Sequence, residues 1–514
     1  MNAIYDVVIV GSGFSGSILG WILAKSGLKV AIVDHGSHPR FAIGESSTPT
    51  ADFLVAYLAD RWQLSELRPL AAWGTWRDTY PEIDCGKKRG FSYLAHSKGR
   101  KFVDDESNSN SLLVAASQTD DWSDTHWMRK NVDQFLAQYA VKAGCSLFEN
   151  SEFRSLLHND DCWSGAISNS LTGELEELRS RWIIDAAGGD DFSEQWLANP
   201  RDDQWMKTRT RAIFGHFHNV ASFGDCARQF SLPDEMAGFH VDDAAQHHVT
   251  EDGWMWMLRF ASGVTSIGIV RREDRCESVQ TTVHASSQWN DWIDRYPSIG
   301  SMMKGSELIK ESSKGFPGHM NSTLRWSNRL SRCRSRASGP GWVALPTAYG
   351  FVDPLHSTGI AHALSGVLRV AELLFADSQV DSASSSRWVN YNAQLRSEIE
   401  WLDLLVGGCY QALPSFDSFC AYSAWYFASA IHFERVMSQD PSRWSKGYMN
   451  CEDMQLRSAV NSSYDVLNKQ GSANLRDLVR TAIAPWNDVG LLEPVSGQRI
   501  AHTAPPKYKD NVCL

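Results

Sequence analysis

Several features that would place a chain in a familiar class are missing here. No unbroken apolar run of about 18 residues, the span of a membrane helix, occurs in the 514 residues, so no membrane segment is expected. The opening MNAIYDVVIVG enters a strand pattern directly, with neither a basic leader nor a cleavable apolar core, and a cytoplasmic location is the expectation. The 10 cysteines include no CxxC pair, which suggests neither a zinc site nor a disulfide framework, and they are expected as reduced thiols. His216 and His218 in HFH, and the adjacent His247 and His248, lack a third ligand, so no metal site is expected and these imidazoles are assigned to core or surface. No long basic tract occurs, and 49 basic against 60 acidic residues leave a net charge of -11, which argues against nucleic acid as a partner. Tryptophan, by contrast, is abundant. Its 21 copies exceed what an ordinary core needs, and aromatic-lined binding sites are one outlet for the surplus.

A length of 514 residues suggests about two to four structural units, and the first of them has a clear signature. Tyr5 to Val10 is a β-branched run, Gly11, Gly13 and Gly16 form GxGxxG, and SILGWILAKSG has helical periodicity ending near Gly27. A second strand from Lys29 to Val33 ends at Asp34. In such a unit the glycines allow close backbone approach, the helix start faces a pyrophosphate and the acid accepts from a ribose hydroxyl. Later segments decide which dinucleotide. RWIIDAAGG at 181–189 is another apolar strand ending in an acid and small residues. From Gly341 the chain reads as strand, loop, Pro354 and a long amphipathic helix beginning near Ser357. One cofactor held by positions 11, 185 and 353 must be large and its domain discontinuous, which suits FAD better than NAD.

The GxGxxG segment, HPRFAIGESSTP at 38–49, Arg129 and Asp133 in MRKNVDQFL, DAAGG at 185–189 and GFVDPLHSTGI at 350–360 together resemble the flavin-dependent halogenases over most of the chain. The likeness is closer to the phenol and pyrrole branch than to the tryptophan halogenases. It implies an α/β fold with a glutathione-reductase-like FAD-binding domain, reduced FAD supplied by a separate reductase, and oxygen and halide (chloride or bromide) as co-substrates. Carried onto this chain, it assigns FAD contacts to Gly11, Gly13, Phe14, Ser15, Gly16, Asp34, Arg40, Glu45, Ser46, Arg129, Asp185, Gly188, Thr347, Asp353, Gly359 and Ile360. Pro346 and Thr347 stand where related flavoproteins have Gly-Asp, so a ribityl contact normally made by the aspartate falls to their backbone and hydroxyl.

Two further segments resemble the family's signatures. GWMWMLRF at 253–260 resembles WxWxIP, with Leu258 and Arg259 in place of Ile and Pro, and a strand puts Trp254 and Trp256 on one face as a wall between flavin and substrate chamber. In DCGKKRGFSY, residues 84–93, Gly86, Lys88, Gly90 and Phe91 reproduce GxKxGF, whose lysine handles the oxidised halogen in the family. Lys87 and Lys88 point to opposite faces of an extended chain, so Lys88 is the catalytic candidate, and Lys87 and Arg89 are expected outside, serving solubility. The backbone amides of Thr358 and Gly359 form the expected halide site at a helix start. His356 stands where tryptophan halogenases have a glutamate. A base with a pKa of about 6.5 suits removal of a phenol proton near neutrality, so the expected substrate is a small phenolic aromatic, with His356 a second catalytic candidate beside the reading that it merely packs.

The domain reading is therefore an FAD-binding domain from 1–74, 126–199 and 331–375, a substrate-side sheet domain from 75–125 and 200–330, and a C-terminal helical domain from 376–514, with a linker near SASSSR at 382. Trp401, Tyr410, Trp425, Tyr426 and Phe433 form either an interhelical core or a cap over the chamber. An aromatic hydroxylase, a flavin-dependent reductase of isoprenoid chains and a non-enzymatic flavin-binding protein are the competing readings. The first needs no lysine behind a tryptophan wall, and the second needs a long apolar slot.

Overall fold

The computed structural model describes residues 4–105, 107–159, 162–189, 191–227, 235–236, 239–310, 324–376, 386–470, 474–493, 498–500 and 503–504. The expected linker falls largely on 377–385, outside the described residues.

The β-branched run Ile4–Val10 forms the centre of an eight-stranded sheet, parallel to Val30–Val33 on one side and Leu175–Asp185 on the other. Ser146–Phe148 and Trp342–Ala344 extend the parallel set outward. Because the registers align Val10 with both Val33 and Asp185, and Asp185 with Ala344, these strands end together. Gly11, Asp34, Ala186 and Leu345 therefore follow at one edge, where ligands of open parallel sheets bind. The helix Phe14–Lys25 buries ten of its twelve residues and packs between the helices Arg129–Lys142 and Gly359–Ala376, with Trp21 stacked on Tyr139 at 4.9 Å.

A second sheet of nine strands runs Glu307–Leu308, Thr210–His218, Thr265–Arg272, Gly253–Arg259, Ala244–Thr250, Gly90–Ala95, Ser111–Ala115 and Arg499–Ile500, with Arg325–Ser327 beside Thr210–His218. Its period-two alternation separates two cores. Trp254, Trp256 and Leu258 join the core shared with the first sheet, whereas Met255 and Met257 join a second core on the far face. A buried indole removes about 150–250 Å² from water, or roughly 4–6 kcal/mol before entropic costs. The sheet is thus firmly fixed where the two indoles point.

Between the sheets lies the ribbon Cys85–Lys88 with Asp124–Trp127, pairing Gly86 with His126 and Lys88 with Asp124. A Cβ on Gly86 would stand 1.9 Å from the Arg259 carbonyl oxygen, so only glycine lets the ribbon abut the tryptophan strand.

The helices Ser386–Ala412, Phe416–Gln439, Met454–Gln470 and Leu475–Ala482 cover one side. They do not account for the whole C-terminal segment: Arg499–Ile500 returns to pair in parallel with Ser111–Ala115 at the edge of the second sheet. Gly359–Ala376 is long and apolar enough to cross a membrane, but 72% of it is buried within the protein, as befits a core helix. Its Arg369 makes two hydrogen bonds to the Glu398 carboxylate at 2.7 and 2.8 Å, and His362 bonds the same group at 2.9 Å. The eight cysteines described are free thiols.

Candidate functional site

The site begins at the glycine fingerprint. A Cβ on Gly16 would lie 2.1 Å from the Gly11 carbonyl oxygen, so the turn and the helix start can approach each other only as glycines. Phe14, Ser15 and Gly16 supply the first turn of that helix, whose unpaired amides suit a pyrophosphate. Asp34 accepts from the Ser12 amide and hydroxyl, each at 2.7 Å, and from Arg40 at 2.9 Å. Burial works to raise its pKa, but Arg40 and these bonds hold it down at about 2, so it remains an acceptor. Arg129 pairs with Asp133 through two bonds of 2.8 Å, donates to the Ile43 and Gly44 carbonyls, and covers the Phe14 ring at 4.7 Å. This clamp fastens the 41–48 segment to the fingerprint. A bare turn, an anion-binding helix start, an acid at the next strand end and a guanidinium clamp fit FAD.

Other assigned contacts have different occupations. Asp185 accepts from the Ser193 hydroxyl and, at 3.0 Å, from the Ala187 amide, which makes it a brace for the loop carrying Gly188. Thr347 lies in the short helix Pro346–Tyr349 and its carbonyl accepts from Arg332 at 2.9 Å. Glu45 is buried, with Oε1 2.8 Å from Nε2 of His216 and Oε2 accepting from Ser266 at 2.6 Å. Ser46 bridges to His126. Asp353 is buried, accepting from Thr210 at 2.6 Å, Tyr410 at 3.0 Å and the Leu355 amide at 3.1 Å. Desolvation pushes its pKa up to about 7 against these bonds. Thr358, Gly359 and Ile360 begin the long helix, and the amides of the first two precede its first backbone bond, from His362 to the Thr358 carbonyl.

Trp254 and Trp256 stand side by side on the inner face, ring centroids 6.0 Å apart and both buried. From Trp254 a row of rings leads away. His247 stacks on it at 5.1 Å, Tyr93 on His247 at 4.5 Å, and Phe91 lies beside Tyr93 at 6.4 Å. The ammonium of Lys88 sits 3.8 Å over the Phe91 ring. Lys88 is 0% exposed and donates to the Ser47 carbonyl. Burial pushes its pKa down to about 8, opposed by Asp124, Asp52 and Glu434. Lys87, its neighbour, turns the other way into ion pairs with Asp120 and Asp243 at 2.7 and 2.9 Å.

The family described as tryptophan halogenase matches residues 121–420. The chain belongs to this family. An FAD-dependent oxidoreductase family also matches, over residues 6–213. The halogenase is 27% identical over 444 residues to tetracycline 7-halogenase of Kitasatospora aureofaciens, covering 84% of this chain and 75% of that one. It is 26% identical over 419 residues to monodechloroaminopyrrolnitrin halogenase PrnC of Pseudomonas fluorescens, covering 80% and 69%. Among solved structures, halogenase PltM in complex with phloroglucinol and FAD shares the fold with a TM-score of 0.82 at 23% identity, over 97% of this chain and 99% of that one.

Two expectations for the halogenase need correction. Arg89 is not a solubility residue: it is 5% exposed, bonded to Asp120 at 2.6 Å and to the Ser117 and Gln118 carbonyls, because its backbone, between two strands, pairs with Asp243 and Ala116 and so holds the side chain beside the 117–120 segment. His356 does not keep a pKa near 6.5. Its ring is wholly buried, which with His247 nearby drives its pKa well down. Nδ1 meets the Tyr93 hydroxyl at 2.8 Å, Nε2 meets Cys409 at 3.5 Å, and Tyr426 stacks on the ring at 4.2 Å.

Several neighbours of Lys88 were missed in the sequence. His126 shares its ribbon face with Lys88 and Asp124, is 0% exposed, and has no hydrogen-bond partner on either ring nitrogen. Asp52 and Glu434 come from two different helices, Pro49–Arg61 and Phe416–Gln439. Only the register of the ribbon and the docking of the helices bring these groups together, so no spacing in the chain marks them. The aromatic C-terminal helices form an interhelical core, in which Trp401 and Trp425 bond to the Met449 carbonyl and Ser463, and Phe419 and Phe427 pack on Tyr93 of the second sheet.

Proposed function

We propose that this halogenase uses reduced FAD, oxygen and chloride or bromide to halogenate an electron-rich, phenolic aromatic, with Lys88 handling the oxidised halogen. The observation that carries the reading is Lys88 itself: a fully buried lysine with a pKa lowered to about 8, at the end of a row of rings that leads through Phe91, Tyr93 and His247 to Trp254. A core gains nothing from such a group, since a buried cation costs stability unless paired. Desolvated lysines with lowered pKa are the ones proteins use for chemistry.

When bound, reduced FAD supplies the oxidation of halide by oxygen to hypohalous acid. The chain's own residues do the rest. The amides of Thr358 and Gly359 hold the halide. Trp254 and Trp256 keep water and substrate from the flavin side. Lys88 takes up hypohalous acid, by hydrogen bond or, as the free amine, as a haloamine with release of water, and presents electrophilic halogen to the ring, which loses a proton in exchange. His126, buried without a partner on the Lys88 face, accepts from the substrate hydroxyl. His356 orients Tyr93. A phenolic substrate is supported by the likeness to a tetracycline halogenase and to the fold of a halogenase whose structure holds phloroglucinol. A separate reductase supplying reduced FAD is supported by the single dinucleotide fingerprint in the sequence, which FAD would take.

The test is product analysis by mass spectrometry on a panel of phenols, with chloride, bromide or no halide. Halogenated product with chemically reduced FAD, and none with NADH and oxidised FAD alone, is expected. Hydroxylated product independent of halide would make the protein a hydroxylase instead.

A further inference from the structure

Both wall tryptophans end in the same kind of connection. The Trp254 indole N–H donates to the Tyr410 hydroxyl at 2.8 Å, and that hydroxyl donates to Asp353 at 3.0 Å. The Trp256 indole N–H donates to the Ser266 hydroxyl at 3.1 Å, and that hydroxyl donates to Glu45 at 2.6 Å. In each case one hydroxyl joins a buried indole to a buried carboxylate, and all six groups are removed from water.

The two carboxylates lie on two different loops, one tied to the fingerprint through Arg129 and the other leading into the helix that packs on the fingerprint helix. Glu45 belongs to the segment that Arg129 clamps against Phe14. Asp353 lies between the strand Gly350–Phe351 and the start of the long helix at Gly359. Tyr410 comes from a third place, the end of the helix Ser386–Ala412. A buried indole N–H needs an acceptor in any core, as Trp401 and Trp425 show; for Trp254 and Trp256 that acceptor is a hydroxyl which goes on to a buried carboxylate. Two parallel hydroxyl–carboxylate links fix the rotation of each ring about its own axis and key it to a loop on the flavin side.

We infer that Tyr410 and Ser266 are positioning residues that hold the tryptophan wall closed against the flavin-side loops, so that hypohalous acid passes to Lys88 instead of escaping. The inference rests on the wall reading above and adds the residues that set it. Tyr410 acts through Trp254, and Ser266 through Trp256. Neither touches the reacting atoms. Each hydroxyl is both donor and acceptor, a double role that phenylalanine and alanine cannot fill.

The experiment compares wild type, Tyr410→Phe, Ser266→Ala and Tyr422→Phe. Tyr422 is a buried tyrosine of the neighbouring helix whose hydroxyl bonds the Leu404 carbonyl at 3.1 Å, away from the wall. Measured for each are FAD affinity, rate of flavin oxidation, halogenated product per flavin oxidised, and hypohalous acid captured by monochlorodimedone in solution. Tyr410→Phe and Ser266→Ala should bind and oxidise flavin as wild type does. Their product per flavin should fall about tenfold, the scale on which small misplacements act, with captured hypohalous acid rising to match, while Tyr422→Phe behaves as wild type. A coupled wild type with equally coupled Tyr410→Phe and Ser266→Ala enzymes overturns the positioning role alone. So does loss of FAD binding in both, which would place their effect at the cofactor. A wild type that makes no halogenated product overturns the functional reading itself.

Discussion

Lys88, which the proposed function keeps for chemistry, carries a cost that titration can read. The unfolded chain holds its proton up to the ordinary lysine pKa of 10.5, whereas the folded chain releases it at about 8. Between those values the unfolded state binds more protons, so stability rises with pH; below about 8 the full cost of the buried charge is present. Lys88→Met should therefore stabilise the protein at pH 7, by roughly 3 kcal/mol, and the gain should shrink as pH rises from about 8 to 10.5. Chemical denaturation of both proteins across that range checks it, and a destabilised variant at pH 7 would mean the lysine is a structural cation. The sequence showed which of the two lysines faces inward, because a strand alternates. It did not show the fate of Arg89, which depends on a loop thirty positions away. For His356 the pattern revealed the position but not its pKa, since its burial comes from Tyr93 on a strand of the second sheet and from Cys409 and Tyr426 on two C-terminal helices. With the ring held neutral, the pH profile of halogenation should lack an ionisation near 6.5 that His356→Phe removes. The same profile measured in both enzymes decides this, and a limb near 6.5 lost in the variant would restore the histidine as a base.

At the scale of elements, the parallel strands, the fingerprint helix and the tryptophan strand were all legible, because each carries its own periodicity. The joints between them were not. Glu398 holds Arg369 and His362 from one helix and the Tyr448 amide from another segment, and no motif announces it. Burial acts to raise its pKa, yet Arg369 and His362 bring it down to about 2 from 4.5. A depressed carboxylate contributes stability above its unfolded pKa and loses it as pH falls through the folded one. Glu398→Gln should accordingly lose about 3–5 kcal/mol near neutrality, the cost of breaking a buried ion pair. Its stability should also fall less steeply than wild type between pH 4.5 and 2. Denaturant titrations at several pH values measure both. An equal acid slope in the two proteins would show that the carboxylate is not ionised in the fold.

For the whole molecule, the discontinuous arrangement follows from one large cofactor meeting strand ends far apart in the chain, and that was visible in the positions of the motifs. The return of Arg499–Ile500 to the second sheet was invisible, because two residues at a sheet edge have no pattern of their own. The proposed function rests on a separation: oxidising chemistry on one side of Trp254 and Trp256, halogen transfer at Lys88 on the other. The measurement that tests this most directly is a reaction of Lys88→Met with reduced FAD, oxygen, bromide and a phenol, following flavin oxidation and brominated product together. Flavin oxidation should continue at the wild-type rate while product falls by about a hundredfold or more. Wild-type bromination by Lys88→Met, or a parallel loss of both activities, would contradict the separation.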